Sequence, residues 1–230
     1  MFEQEKLDII KAGMKLDRYG LISLAGGNLS LRMDDGNILV TPSGMIYEDM
    51  VADDMLVMDL DGNIVEGTRK PSSDTAAILY IFNQRPDVKA IIHTHQPYAT
   101  AISLIEGEDE FRADLTTLGN ACGGNVPIAP YSSPGSEDMG IDTVKYLGNG
   151  HAVILAHHGV MTCGDSLKQA LNAAVYLEEC AKGYLAARAV GPIRHLTDAQ
   201  IKQTVEIYKF VGQGHGEIPE ELLGRGGVEA

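Results

Sequence analysis

The sequence predicts an α/β protein: a largely antiparallel central sheet covered by helices. Two observations predict it. Segments with apolar residues at helical spacing alternate along the chain with short β-branched runs. Several of those runs are joined by hairpin-type turns, which favour antiparallel neighbours over a parallel doubly wound sheet. The chain has 230 residues, 44% of them apolar, enough for one full hydrophobic core.

Taken in order, residues 2–19 read as a helix, with Leu7, Ile10, Met14 and Leu16 on one side and Gly20 at its end. "NILVTPSG" and "DMLVMDLDGNIVEG" read as strands, and Asp61-Gly62 makes the second a hairpin. "SSDTAAILYIFNQRP" reads as a helix capped by Ser72 or Ser73 and closed before Pro86. "VKAIIHTH" is a β-branched strand, and "QPYATAISLI" a further helix. "HAVILAHHGVMTCG" reads as strand, turn, strand. A long helix then runs from a cap at Asp165 or Ser166 to Gly191, and a last one starts at Thr197. One domain over residues 1–212 is expected, followed by a mobile Gly- and Glu-rich tail over 213–230.

The net charge of −14 disfavours a nucleic-acid backbone as partner. An anionic substrate must therefore be held by a local device. The three cysteines, Cys122, Cys163 and Cys180, have no CxxC spacing; neither a disulfide framework nor a Cys-based zinc site is expected, and a reducing, cytoplasmic setting is. The first residues, "MFEQEKLDII", do not read as a signal peptide, and no apolar run is long enough to span a membrane.

Chemistry concentrates in a few places. "HTH" puts His93 and His95 at the end of an apolar strand, and "LAHHG" puts His157 and His158 at the end of another. On a strand a His-x-His pair points to opposite faces, but at its end both rings can turn to one metal ion. His151, His195 and His215 stand alone and read as structural or solvent-facing. "AGGNLS", "TPSG" and "PSSD" are turns of small and hydroxyl residues, suited to phosphate oxygens. Asp74 opens a helix, where a carboxylate is a cap or, beside a metal, a general acid or base.

Together "GGNLS", "TPSG", "KPSSD", "HTH", "GGN-VPIAPY" and "HHG" resemble, in order and spacing, the class II aldolase/adducin family, from about residue 5 to 210. The resemblance implies a three-layer α/β/α sandwich around a largely antiparallel sheet, and a homotetramer with sites at subunit interfaces. It implies Zn²⁺, with Mn²⁺ or Co²⁺ as alternatives, on His93, His95 and His158, with His157 outside the ligand set. Gly27, Asn28, Ser43, Gly44, Ser72 and Ser73 would hold the substrate phosphate, and Asp74 would be the catalytic carboxylate.

The activity implied is that of a zinc-dependent aldehyde-lyase similar to L-fuculose-phosphate aldolase. It would cleave a ketose phosphate by retro-aldol chemistry through a metal-stabilised enediolate, giving dihydroxyacetone phosphate and an aldehyde. The alternatives are an L-ribulose-5-phosphate 4-epimerase and a 3-oxo sugar-acid phosphate decarboxylase. Asp74 follows the epimerase pattern, whereas the short span from "GGNVPIAPY" to "LAHHG" follows the aldolase. Asn120 stands where the epimerase has a second acid, and Thr117 where the aldolase has a tyrosine; Tyr208 is the nearest match to the aldolase's C-terminal tyrosine.

Overall fold

The computed structural model describes residues 1–211 and 216–224. The chain runs α1 (Glu3–Arg18), β1 (Asn28–Arg32), β2 (Ile38–Val40), β3 (Leu56–Met58), β4 (Ile64–Glu66), α2 (Thr75–Gln84), β5 (Ala90–Thr94) and α3 (Pro97–Ile102). It continues through β6 (Glu110–Phe111), α4 (Thr116–Cys122), β7 (Val126–Ala129), α5 (Glu137–Leu147), β8 (Ala152–Leu155), β9 (Gly159–Gly164), α6 (Leu167–Val190) and α7 (Asp198–Tyr208).

The nine strands form one sheet in the order β4-β3-β2-β1-β5-β9-β8-β7-β6. The expected largely antiparallel sheet is corrected to a mixed one. β7 and β8 run parallel, with Ile128 opposite Ile154, while the other neighbouring pairs run antiparallel. The reason is the connection. α5 carries the chain from the end of β7 back to the start of β8, and such a crossover makes parallel neighbours where a hairpin cannot.

Strand residues alternate between clusters, as a period of two requires. Leu39 packs with Ile9, Ile10 and Leu16 of α1 and Ala170 and Ala174 of α6, whereas its neighbours Ile38 and Val40 pack with Ile78, Ile81 and Phe82 of α2 and Met139 of α5. Ile92 and Ile91 divide in the same way. Side chains such as Leu39, Ile81 and Phe82, almost wholly removed from water, contribute about 1.5–3 kcal/mol each. A third cluster joins α3, α4, α6 and Ile201 of α7 around Phe111, Val126, Ile154 and Val160.

Ser166 caps α6 by accepting from Gln169 N, and Thr197 caps α7 in a capping box with Gln200. At α2 the N-cap is Asp74, one residue past the expected serines. Ser72 sits in the preceding turn, where its Oγ accepts from Asp74 N and its carbonyl from the Thr75 hydroxyl. In α1 the buried face is Ile9, Ile10 and Leu16, while Leu7 and Met14 lie outward. β1, β7 and α4 lie where only turns or motifs were read from the sequence, and β6 and α5 where no element was read.

Of the tail, residues 212–215, with His215, and 225–230 lie outside the described residues. Between them, Leu222 O accepts a 2.7 Å hydrogen bond from Gln203 of α7. All three cysteines are buried and free. No helix among the described residues is long and apolar enough to cross a membrane.

Candidate metal centre and its flanking loops

β5 lies between β1 and β9 and ends at Thr94. His93 is its penultimate residue, fully buried, and it pairs with Asn28 on one side and Met161 on the other. His95 follows the last paired residue and is exposed, so its ring is free of the strict alternation and turns toward His93. His158 comes from the turn between β8 and β9, which closes with a hydrogen bond from His158 N to Leu155 O at 3.0 Å. The three ring centroids stand 4.9, 4.9 and 5.2 Å apart. One nitrogen from each ring lies within 4.8 Å of the others.

The donor set suits a divalent ion. His93 Nδ1 lies 3.0 Å from Val160 O. A carbonyl only accepts, so the proton belongs on Nδ1 and Nε2 keeps its lone pair. That Nε2 faces His95 Nε2 at 3.1 Å. His158 Nδ1 is buried and finds no hydrogen-bond partner among the described residues. Burial pushes His93 down to about 4; the Asp74 carboxylate pulls the other way and loses. Burial, reinforced by His95, also lowers His158. Both lowered rings favour the neutral imidazole that ligates metal.

Backbone geometry makes room for this. His157, at φ 60°, occupies the left-handed region in the β8–β9 turn, and its N–H donates to Ser103 Oγ at 3.1 Å. Its side chain is exposed and outside the cluster, while the next residue turns inward. Gly159 then passes so close to β5 that a Cβ there would lie 2.3 Å from Thr94 O. Gly27, at φ 75°, approaches the same strand, and its Cβ would lie 2.6 Å from His93 O.

Asp74 is buried at the start of α2. Its Oδ2 accepts from Asn28 Nδ2 at 2.7 Å and stands 3.9 Å from His93 Nε2. Asn28 reaches this place because it opens β1 directly opposite His93. Beside them, two loops are laced together: Ser43 N donates to Lys70 O at 2.9 Å and Ser72 N to Thr41 O at 3.2 Å. This brings "TPSG" against "KPSSD". Ser43, Gly44 and Ser73 are exposed there, and Ser72 is buried.

The remaining candidates are elsewhere. Thr117 is exposed and Asn120 half-buried on α4, which packs against α7, the helix that ends at Tyr208. Asn120 Oδ1 is buried without a hydrogen-bond partner among the described residues. His151 contacts Gln169, and His195 contacts Asp114 at 2.8 Å. Two buried polar residues, Gln96 next to His95 and Glu178 of α6 at the start of α3, were not singled out from the sequence.

The family model of the class II aldolase and adducin N-terminal domain matches residues 7–185. The chain is 29% identical over 214 residues to the 5-deoxy-D-ribulose 1-phosphate aldolase of Bacillus thuringiensis serovar kurstaki, an alignment covering 93% of this chain and 99% of that one. It is 34% identical over 182 residues to the 3-oxo-tetronate 4-phosphate decarboxylase of Pectobacterium atrosepticum, covering 78% and 83%. A solved structure of L-fuculose 1-phosphate aldolase superposes with a TM-score of 0.83 at 34% identity, over 89% of this chain and 96% of that one. With the family model spanning the sheet and the histidine cluster, and these relatives covering most of its length, the chain belongs to the class II aldolase and adducin family.

Proposed function

We propose that the protein is a metal-dependent class II aldolase that splits a ketose phosphate by retro-aldol chemistry into dihydroxyacetone phosphate and an aldehyde. One observation carries the reading: three imidazoles converge, and Asp74 Oδ2 is held 3.9 Å from one of them. Family membership and the aldolase relatives support it. In this reading His93, His95 and His158 hold the ion, with Zn²⁺ first and Mn²⁺ or Co²⁺ as alternatives. A bound divalent ion would supply Lewis-acid stabilisation of negative charge on substrate oxygens.

The chain's own residues do the rest. Asp74 moves the proton at the carbon left behind when the carbon–carbon bond breaks, and Asn28 orients it through the 2.7 Å hydrogen bond. Gly27 and Gly44 supply N–H groups and Ser43, Ser72 and Ser73 hydroxyls to the phosphate, aided by the N-terminus of α2. Asn28 belongs to the same set, although one of its amide hydrogens is already used by Asp74. The reading includes the three-layer sandwich, supported by the alternation of strand residues between two helix-bearing clusters. It also includes a homotetramer with sites at subunit interfaces, supported by family membership alone.

A second reading is a decarboxylase of a 3-oxo sugar-acid phosphate, favoured by the relative of 34% identity. The same metal and phosphate cradle would serve, with carbon dioxide as the leaving fragment.

The test is a coupled assay on metal-reconstituted protein. The panel is L-fuculose 1-phosphate, L-rhamnulose 1-phosphate, 5-deoxyribulose 1-phosphate, L-ribulose 5-phosphate and a 3-oxo-tetronate 4-phosphate. Release of dihydroxyacetone phosphate from one of the ketose 1-phosphates, abolished by a chelator, is expected. Carbon dioxide released together with dihydroxyacetone phosphate from the 3-oxo-tetronate 4-phosphate, with no triose from the ketose 1-phosphates, establishes the decarboxylase instead. Xylulose phosphate from L-ribulose 5-phosphate, without triose, establishes the epimerase.

A further inference from the structure

His95 is the least supported of the three clustered histidines. It lies beyond the end of β5 and is exposed, so neither ladder pairing nor packing fixes its ring. Its flanking residues are the reverse. Thr94 and Gln96 are both fully buried, and the Thr94 hydroxyl donates to Gln96 Oε1 at 2.6 Å. Gln96 Nε2 donates in turn to Ala174 O of α6 at 3.0 Å. At the next residue, Pro97, α3 begins, and its first free N–H groups are taken by a side chain from α6. Tyr98 N and Ala99 N donate to the two carboxylate oxygens of Glu178 at 3.1 and 2.9 Å.

Ala170, Ala174 and Glu178 stand on three successive turns of α6, spaced four residues apart on one face. Each is tied to the central strands or to the chain that leaves β5: Ala170 O accepts from Thr162 of β9 at 3.0 Å, Ala174 O from Gln96, and Glu178 from the start of α3. α6 therefore acts as a ruler against which residues 94–99 are laid.

Glu178 is fully buried, and among the described residues no cation comes within ion-pair distance of it; Lys182, one turn along α6, feels its charge from further off. A carboxylate with no cation at ion-pair distance is costly to bury, and an apolar residue would fill the site with less desolvation. What the carboxylate adds is direction, since its two oxygens fix two consecutive N–H groups at charge-assisted hydrogen-bond distance.

We propose that Glu178, acting with Gln96, is a positioning residue for the metal-ligand geometry of His95. It clamps the chain on the C-terminal side of His95 while Gln96 clamps its immediate neighbour. This rests on the metal-centre reading above and adds a residue from a helix remote in sequence.

The test is a titration of the metal-free protein with Co²⁺ alone, read by visible absorption, on the wild type, Glu178→Gln, Gln96→Met and the control Thr143→Val. Thr143 is buried on α5 and donates to Met139 O within its own helix, so its loss reports a general packing defect. In Glu178→Gln one N–H faces an amide NH₂ instead of an acceptor. Co²⁺ affinity is expected to fall by about ten-fold or more in Glu178→Gln and Gln96→Met, with a changed ligand-field band, and to stay at the wild-type value in Thr143→Val.

Wild-type affinity and spectrum in both site variants overturn the positioning role while leaving the metal centre standing. An equal loss in Thr143→Val overturns it too, by showing a general effect. Absence of Co²⁺ binding in the wild type overturns the metal centre itself. If Glu178→Gln does not fold, Gln96→Met decides the matter alone.

Discussion

Asn28 Nδ2 donates to Asp74 Oδ2 at 2.7 Å, joining the first residue of β1 to the N-cap of α2. Both side chains are buried, so the hydrogen bond is a structural commitment. Asn28→Leu removes the donor and leaves the carboxylate beside His93 with its orientation unfixed. A buried acceptor stripped of its partner costs about 1–3 kcal/mol. The expected outcome is a lower melting temperature and at least a ten-fold loss of turnover, with metal content unchanged by elemental analysis. Undiminished turnover in a folded variant would remove Asn28 from the account of Asp74.

Asp74→Asn is the direct test of the carboxylate. The amide preserves shape and can still occupy the N-cap, but it cannot move a proton. General acid–base groups contribute about 10²–10⁴-fold, so turnover should fall by that much while the protein keeps its metal. Full activity in this variant would sink the assignment of Asp74 as acid or base.

The sequence made the histidine cluster legible because each imidazole closes an apolar strand. It made the Asn28–Asp74 bond illegible, because "AGGNLS" reads as a glycine-rich turn, whereas Asn28–Arg32 is a strand whose register places Asn28 against His93. α5 was not read from the sequence although Met139, Thr143 and Leu147 recur at helical spacing behind Ser136. Missing that helix also hid the crossover that makes β7 and β8 parallel. Glu178 could not be found, because a glutamate among leucines and alanines in a long helix ordinarily faces water. Only the docking of α6 on the end of β5 shows that it is buried.

The two histidines of "HHG" should separate cleanly. His158→Ala removes a nitrogen from the cluster and should abolish stoichiometric metal. His157→Ala removes an exposed side chain and should keep it. His157→Gly should also keep metal, with stability within about 1 kcal/mol of the wild type. Relief of the left-handed backbone is offset by the greater freedom of glycine in the unfolded chain. Metal loss in the His157 variants, with retention in His158→Ala, would mean that the ligand assignment is one residue out.

Gly159→Ala should be far worse than its size suggests. The new methyl would stand 2.3 Å from Thr94 O and 3.3 Å from His93 Cε1. The clash is with backbone, which cannot rotate away, so β9 must shift from β5 at the point where His93 and His158 meet. Overpacking of this kind costs about 1–3 kcal/mol. Denaturant unfolding should show that loss, and metal affinity should fall with it. A variant with wild-type stability would show that the two strands stand further apart than this geometry has them.

Metal removal tests the centre without any substrate. His93 Nε2 and His95 Nε2 face each other at 3.1 Å, and His158 Nδ1 has no hydrogen-bond partner among the described residues. An ion that binds only the folded state stabilises it by about 2.7 kcal/mol at a hundred times its dissociation constant. For a chain of this size, each kcal/mol raises the melting temperature by about 2–4 °C. Zn²⁺ added to chelator-treated protein should therefore raise the melting temperature by about 5–11 °C at that excess, and Mg²⁺ should not, since imidazole suits Zn²⁺ and oxygen ligands suit Mg²⁺. The His158→Ala protein should lose most of the Zn²⁺ response. An equal rise in that variant would place the ion somewhere other than among these three rings.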